Sequence, residues 1–312
     1  MWYPTRMLFR HEYQGGVWVD LEQPTGDEIR DVAKEFSIDE RLERELLLPT
    51  PTPLLASEGG LALLVLHFPA HGAEDGITES QEVDVIVGKN VIVTVRYEVI
   101  APLHHLQKLL EAQKLVSGNA ALTTDVMLEV LFAHLYTSVH DHTNHIVDRL
   151  ARIEQDMFDG AERKTILSIL QVSREFLHME TALADQEEPL GRFLAVLAEH
   201  EFFGAPFGER GERIRAQRAQ IERLVKTHRT IMAELRETNV SLLEARQNEI
   251  MKTLTVITFS VLPLELIALI FGMHELGTPL ETTPNAFWII ITFMLGIVGL
   301  MMLFFARKRW IF

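Results

Sequence analysis

Glu265 is the residue whose setting most constrains its chemistry. From Thr253 to Phe271 it is the only charged side chain in a run otherwise built of apolar residues, Thr, Ser and Pro263. Such a run is long enough to cross a bilayer as a helix, where a carboxylate is costly unless it faces water, an ion or a partner. Glu265 therefore reads as a cation site or a proton-carrying group. The alternative is a neutral Glu hydrogen-bonded to backbone freed by Pro263. At about 100° per residue, Thr255, Thr258, Leu262, Glu265, Leu269 and Gly272 all fall within about 60° of Met251. Asn248, Glu244, Ser241 and Glu237 continue nearly the same side backwards. In a symmetric bundle this stripe would give an acidic vestibule, an apolar constriction at Met251 and Leu262, and an outer mouth. The competing reading is a stripe that only packs against lipid or a second helix.

A second constellation lies far upstream. His134, Ser138, Asp141, His145 and Asp148 follow one helix face at three- and four-residue steps, beside His140 and His142. Asp141, His145 and Asp148 have the donor chemistry of a zinc site. The spacing is not that of a metalloprotease helix, no general base is placed for hydrolysis, and a plain polar helix face is the alternative. With no Cys in the chain there is no thiolate site and no disulfide framework. No nucleophile–base pair or phosphate loop is spelled out, since Gly15-Gly16 and Gly59-Gly60 are isolated pairs. The expectation is a protein that is not an enzyme and holds no covalent cofactor.

The elements that must position the stripe follow from the same pattern. A second apolar run, Phe287–Ala306, is followed at once by Arg307-Lys308-Arg309, and only Gly272–Ala286 separates the two runs. Glu275 and Glu281 are the acidic residues of that loop and would attract cations. The first residues lack the continuous apolar core of a signal peptide. Two crossings then place both termini in the cytoplasm, with Lys252 and the basic tail on the inner side. Upstream, apolar residues at Ile214, Ile221, Leu224, Ile231, Leu235, Leu242 and Ala245 recur with a period near 3.5. A helix from about Glu209 through Phe271 would be roughly 95 Å long at about 1.5 Å per residue. One apolar stripe on such a helix calls for neighbouring copies and hence a homo-oligomer.

Charge is unevenly divided. The net charge is −15, and from Ile250 onward there are four Lys/Arg and three Glu. Residues 1–249 thus keep 25 basic against 41 acidic side chains. Such a surface disfavours nucleic acid and raises the local cation concentration, although acidity also simply keeps a domain soluble.

The first hundred residues read as mixed α/β. Val17–Leu21 alternates as a strand, and Thr25 with Glu28 forms a capping box for a helix over 27–36. Glu40–Leu48 is a short helix stopped by Pro49-Thr50-Pro51-Thr52-Pro53. Leu61–Phe68 is an apolar strand, and Glu82–Val87 and Val91–Arg96 flank a Gly88-Lys89-Asn90 turn. Helices follow at about 104–115, 125–158, 164–183 and 190–200, with a break at 202–207.

Phe271-Gly272-Met273-His274, Asn248-Glu249-Ile250-Met251-Lys252, Leu262-Pro263-Leu264, Val17–Leu21 and Val87–Val95 together resemble the CorA family of divalent-cation transporters. That family's first membrane helix ends in Gly-Met-Asn, so His274 stands where Asn is expected to meet a hydrated ion. Asn suits strongly hydrated Mg²⁺, whereas imidazole suits Zn²⁺, Ni²⁺, Co²⁺ or Cu²⁺ and titrates near neutrality. The change makes the chain look closer to the ZntB-like zinc-transporting branch. The alternative is that His274 still contacts a hydrated ion through water. Gly272 would let backbone approach the axis and end the helix with its carbonyls at the mouth.

The resemblance implies an α+β membrane protein with a cytoplasmic αβα domain at 1–205 and a stalk helix at 206–251 that continues into the first transmembrane helix at 252–271. An external loop at 272–286, a second transmembrane helix at 287–306 and a basic tail at 307–312 complete it. It implies a homopentamer in lipid at the inner membrane, moving Zn²⁺ or related ions past Gly272, Met273 and His274, with or without proton coupling. The alternatives are a Mg²⁺/Co²⁺ channel gated by cytoplasmic cation binding, and a transport-inactive metal sensor.

Overall fold

The structure, a computed structural model, describes residues 7–69, 80–117, 122–159, 162–272 and 285–308. The chain divides into two compact units, 1–235 and 236–312.

The first unit is built on a six-stranded sheet. Its strands are β1 (Met7–Tyr13), β2 (Gly16–Glu22), β3 (Leu54–Glu58), β4 (Leu61–Pro69), β5 (Ser80–Gly88) and β6 (Val91–Arg96), in the order β1-β2-β6-β5-β4-β3. Only β2 and β6 run parallel. They are also the pair whose approach demands a glycine, because a Cβ at Gly16 would stand 2.1 Å from the Asn90 carbonyl oxygen. Gly15-Gly16 is thus a packing device.

Two cores flank the sheet. Alternation along β5 sends Val83, Val85 and Val87 to one face, and Ile86 to the other. The second face is covered by α1 (Gly26–Glu35) and α2 (Glu40–Leu46). The capping box is present: Thr25 Oγ1 accepts from the Glu28 N–H, and Glu28 accepts from the Thr25 N–H at 2.8 Å. The first face carries the helical layer: α3 (Ala101–Ser117), α4 (Thr124–Asp159), α5 (Glu162–Asp185) and α6 (Glu187–Leu197). Its largest buried side chains include Phe132, Tyr136, Phe176 and Phe193. Each such burial stabilises the fold by about 1.5–3 kcal/mol. The result is an αβα arrangement. The two strands that sequence reading passed over, β1 and β3, are the edges of the sheet. Edge strands bury less, so their alternation is weaker.

Inside the sheet lies a charged knot. Asp20 and Arg96 are fully buried and 2.9 Å apart, with Glu22 2.6 Å from the same guanidinium. Thr94 and Gln107 also donate to Asp20, and Trp18 Nε1 donates to Thr94 at 3.0 Å.

The long helix is α7 (Gly208–Gly272), an unbroken 65 residues with Pro263 inside it. Its buried row in the first unit is Ile214, Arg218, Ile221, Val225 and Met232. This corrects the sequence expectation in two ways. The row keeps the expected three- and four-residue steps but has other members, with Val225 and Met232 inside while Ile231 is 43% exposed. It is also covered by the chain's own helices, not only by copies. Arg218 donates to the Leu183 carbonyl at 2.6 Å, and Arg210 pairs with Asp125 and Glu129 at 2.7 and 2.8 Å. The last helix is α8 (Ala286–Arg307).

Candidate functional site

The end of α7 and all of α8 are long and apolar enough to cross a membrane, and almost none of either stretch is buried. A soluble core helix of the same composition would be covered, so the exposed apolar surface marks these helices as membrane-spanning. Helix formation there pairs the backbone groups of the interior, except that Pro263 has no N–H to give the Phe259 carbonyl. Thr253 and Thr255 donate to the carbonyls of Glu249 and Met251 at 3.0 and 2.7 Å, and Thr292 to that of Trp288 at 2.8 Å. These three threonines are satisfied on their own helix, whereas Ser260 Oγ is buried without a hydrogen-bond partner among the described residues.

Exposure divides the membrane half of α7 into two faces. The shielded positions are Val256, Ser260, Pro263, Leu264, Ile267 and Phe271. At about 100° per residue they lie roughly 120–220° from Met251. On α8 the shielded positions 290, 291, 294, 297, 298, 301 and 305 make one stripe at helical spacing. A single shielded stripe on each helix is the pattern of two helices that cover each other.

Met251, Thr258, Leu262, Glu265, Leu269 and Gly272 are all exposed on the opposite face, with Thr255 half-buried. Met251, Leu262 and Leu269 keep 53%, 58% and 61% of their surface. Glu265 meets no hydrogen-bond or ion-pair partner among the described residues. Within this chain the stripe is not covered by α8. Within the second unit, Glu237, Ser241, Glu244 and Asn248 are likewise exposed. The stripe is polar and acidic before Met251 and mostly apolar after it. Chemically, it offers carboxylate and amide oxygens to a hydrated cation, then an apolar stretch interrupted by one carboxylate.

Met273, His274, Glu275 and Glu281 lie outside the described residues. Asp141, His145 and Asp148 are all exposed on one face of α4. No group of three or more His, Asp or Glu that could hold an ion is found among the described residues. Burial, and after it the neighbouring His105, hold the His134 imidazole below its ordinary range. A cleft of about 260 Å³ opens between α4 and the start of α7, lined by Tyr136, Thr137, His140, Gln217 and Gln220. It contains one imidazole and no carboxylate.

Comparison with known proteins bears on what this arrangement serves. The family model described as CorA-like Mg2+ transporter protein matches residues 13–309. The cobalt/magnesium transport protein CorA of Methanocaldococcus jannaschii is 20% identical over 303 residues, covering 95% of this chain and 91% of that protein. The complete structure of the CorA magnesium transporter from that organism superposes with a TM-score of 0.79 at 20% identity, covering 95% of this chain and 92% of the other. The cytoplasmic domain of ZntB from Vibrio parahaemolyticus superposes with a TM-score of 0.60 at 10% identity, covering 75% of this chain and 89% of that one. The ZntB likeness is one of fold in the soluble part. It does not assign the chain to a zinc branch.

Proposed function

The chain belongs to the CorA-like Mg2+ transporter family, and from that premise we propose that it carries divalent cations across a membrane along the exposed stripe of α7. The observation that carries this is Glu265. It is an intramembrane carboxylate turned away from the shielded face and without a partner among the described residues. Groups of that kind are retained where an ion or proton meets them. The stripe closes into a path only when copies of α7 surround an axis, so the working form is a homo-oligomer. By the family likeness it is a pentamer in the inner membrane with both termini cytoplasmic.

Cations gather first at the acidic surface around Glu237 and Glu244. They pass the Met251 and Leu262 constriction, and their charge is met in the apolar stretch by Glu265. His274, at the position of the family's Asn, favours Zn²⁺, Co²⁺ or Ni²⁺ over Mg²⁺ through the softer imidazole donor. Glu265 couples the flux to protons. The second reading is conduction of Mg²⁺ and Co²⁺ without proton coupling. It is favoured by the cobalt/magnesium transporter of M. jannaschii among the relatives.

Uptake of Zn²⁺, Co²⁺, Ni²⁺ and Mg²⁺ by purified protein in liposomes, with and without a pH gradient, separates these. Zn²⁺ uptake that follows the gradient and falls in His274→Ala and Glu265→Gln is expected. Mg²⁺ flux indifferent to pH establishes the second reading, and no flux of any ion would leave a membrane-anchored sensor.

A further inference from the structure

On the face of the sheet covered by α1 and α2, neighbouring strands bring together His67 on β4, Glu82 and Asp84 on β5, and Tyr97 just after β6. His67 and Glu82 are register partners. Glu82 is 8% exposed and Asp84 not at all. Two carboxylates side by side in such a place need an explanation, because neighbouring buried charges of one sign repel strongly.

Glu82 is well supplied. Both its oxygens lie 2.9 Å from the Thr50 N–H, the Thr50 hydroxyl donates at 3.0 Å, and His67 Nε2 is 3.6 Å away. Burial works against its charge, but these donors hold it below the ordinary carboxylate range. Asp84 is not supplied. Its Oδ1 is buried without a donor, and its carboxyl abuts that of Glu82. Its Oδ2 is 3.0 Å from the Tyr97 hydroxyl, which in turn lies 2.9 Å from the Leu46 carbonyl at the end of α2. Were Asp84 ionised, the Glu82, Tyr97 and Leu46 contacts would have one proton between them, that of Tyr97. With Asp84 neutral they have two.

We propose that Asp84 stands as a neutral carboxylic acid sharing its proton with Glu82, and that this proton fastens the end of α2 and the turn through Pro49–Pro53 to the sheet. The groups that face it are Glu82 on its own strand, Glu45 on α2, Tyr97 after β6, and His67 on β4 across Glu82, with Asp185 at the end of α5 acting on His67. All of these except His67 add negative charge or none. Burial first, and then Glu82, push Asp84 up to about 9. Its value in the unfolded chain is far lower. The folded state therefore holds an extra proton between the two values, and its advantage falls as pH rises towards 9. Above that, two adjacent buried carboxylates expel the turn.

The device is independent of the cation path, and its test removes Glu265 so that the two cannot be confused. Infrared difference spectra of full-length Glu265→Gln protein in lipid nanodiscs are recorded across the alkaline range. A protonated-carboxyl band that disappears with a midpoint near pH 9 is expected, absent when Asp84→Asn is added and shifted to lower pH by Glu82→Gln. A band unchanged by Asp84→Asn, or no titrating band at all, overturns the proposal. Trypsin cleavage after Arg41 or Arg44 reads the fastening. At about pH 10, above the Asp84 transition, it should run several-fold faster in the parent than in Asp84→Asn. Equal rates would contradict the fastening role.

Discussion

Asp20 and Glu265 are both carboxylates set among apolar neighbours, and the molecule treats them in opposite ways. Asp20 lies fully buried on β2, with Arg96, Thr94 and Gln107 all donating to it. Its charge is consumed within the chain. Glu265 lies on the open side of a membrane-spanning helix with no partner among the described residues. Its charge is available to something that is not this chain: an ion, a proton, or the same residue on other copies. A carboxylate whose hydrogen bonds are complete reports on folding, and one whose bonds are missing reports on function.

The contrast can be broken by substitution. Arg96→Leu should have the largest effect, because it leaves Asp20 and Glu22 buried without their counter-charge. A loss of about 3–5 kcal/mol is expected, read as a collapse of the melting temperature. A small shift would mean that the knot is not what holds the sheet. Thr25→Ala, which deletes the capping box of α1, should cost about 1 kcal/mol by denaturant titration, with no change in ion flux.

Glu129 sharpens the contrast from the half-exposed side. Arg213 and Arg210 hold its carboxyl below the ordinary range. Its contribution is therefore present at neutral pH and lost as pH falls below the normal glutamate value of about 4.3. Glu129→Gln should cost at most about 1 kcal/mol at pH 7 and nothing at lower pH, so parent and variant should converge in acid. The smallest stability effect is expected at Glu265→Gln, within about 0.5 kcal/mol. A large loss of stability there would mean that Glu265 is structural after all.

Much of this architecture is legible in the sequence, because it rests on signals that are local. Thr25 and Glu28 announce the start of α1, Pro49 to Pro53 the end of α2, and two long apolar runs the membrane helices. The angular position of Glu265 relative to Met251 needs only the helical period. What was not legible depends on partners distant in the chain. Asp20 looks like the polar position of an alternating strand until β6 is laid beside β2 with Thr94 and Arg96 in register. Asp84 looks equally ordinary until Tyr97 and Leu46 close over it. The apolar row of α7 looked self-complementary because α4 and α5, which cover its first turns, could not be placed from spacing. β1 and β3 are edge strands with one neighbour each, and their pattern is correspondingly weak. For the metal-binding reading of Asp141, His145 and Asp148, helical spacing was the sole support, and spacing alone does not bring a third ligand within reach.

Because the chain contains no Cys, the account's central claim can be tested on a clean background. Single substitutions Leu262→Cys and Leu269→Cys place a thiol on the open face of α7, while Val256→Cys and Ile267→Cys place one on the face shielded with α8. Liposome flux is measured before and after a charged, membrane-impermeant thiol reagent. Flux should be abolished in the first pair and untouched in the second. Equal sensitivity of both faces, or block from the shielded face alone, would contradict the assignment of the Glu265 stripe as the cation path.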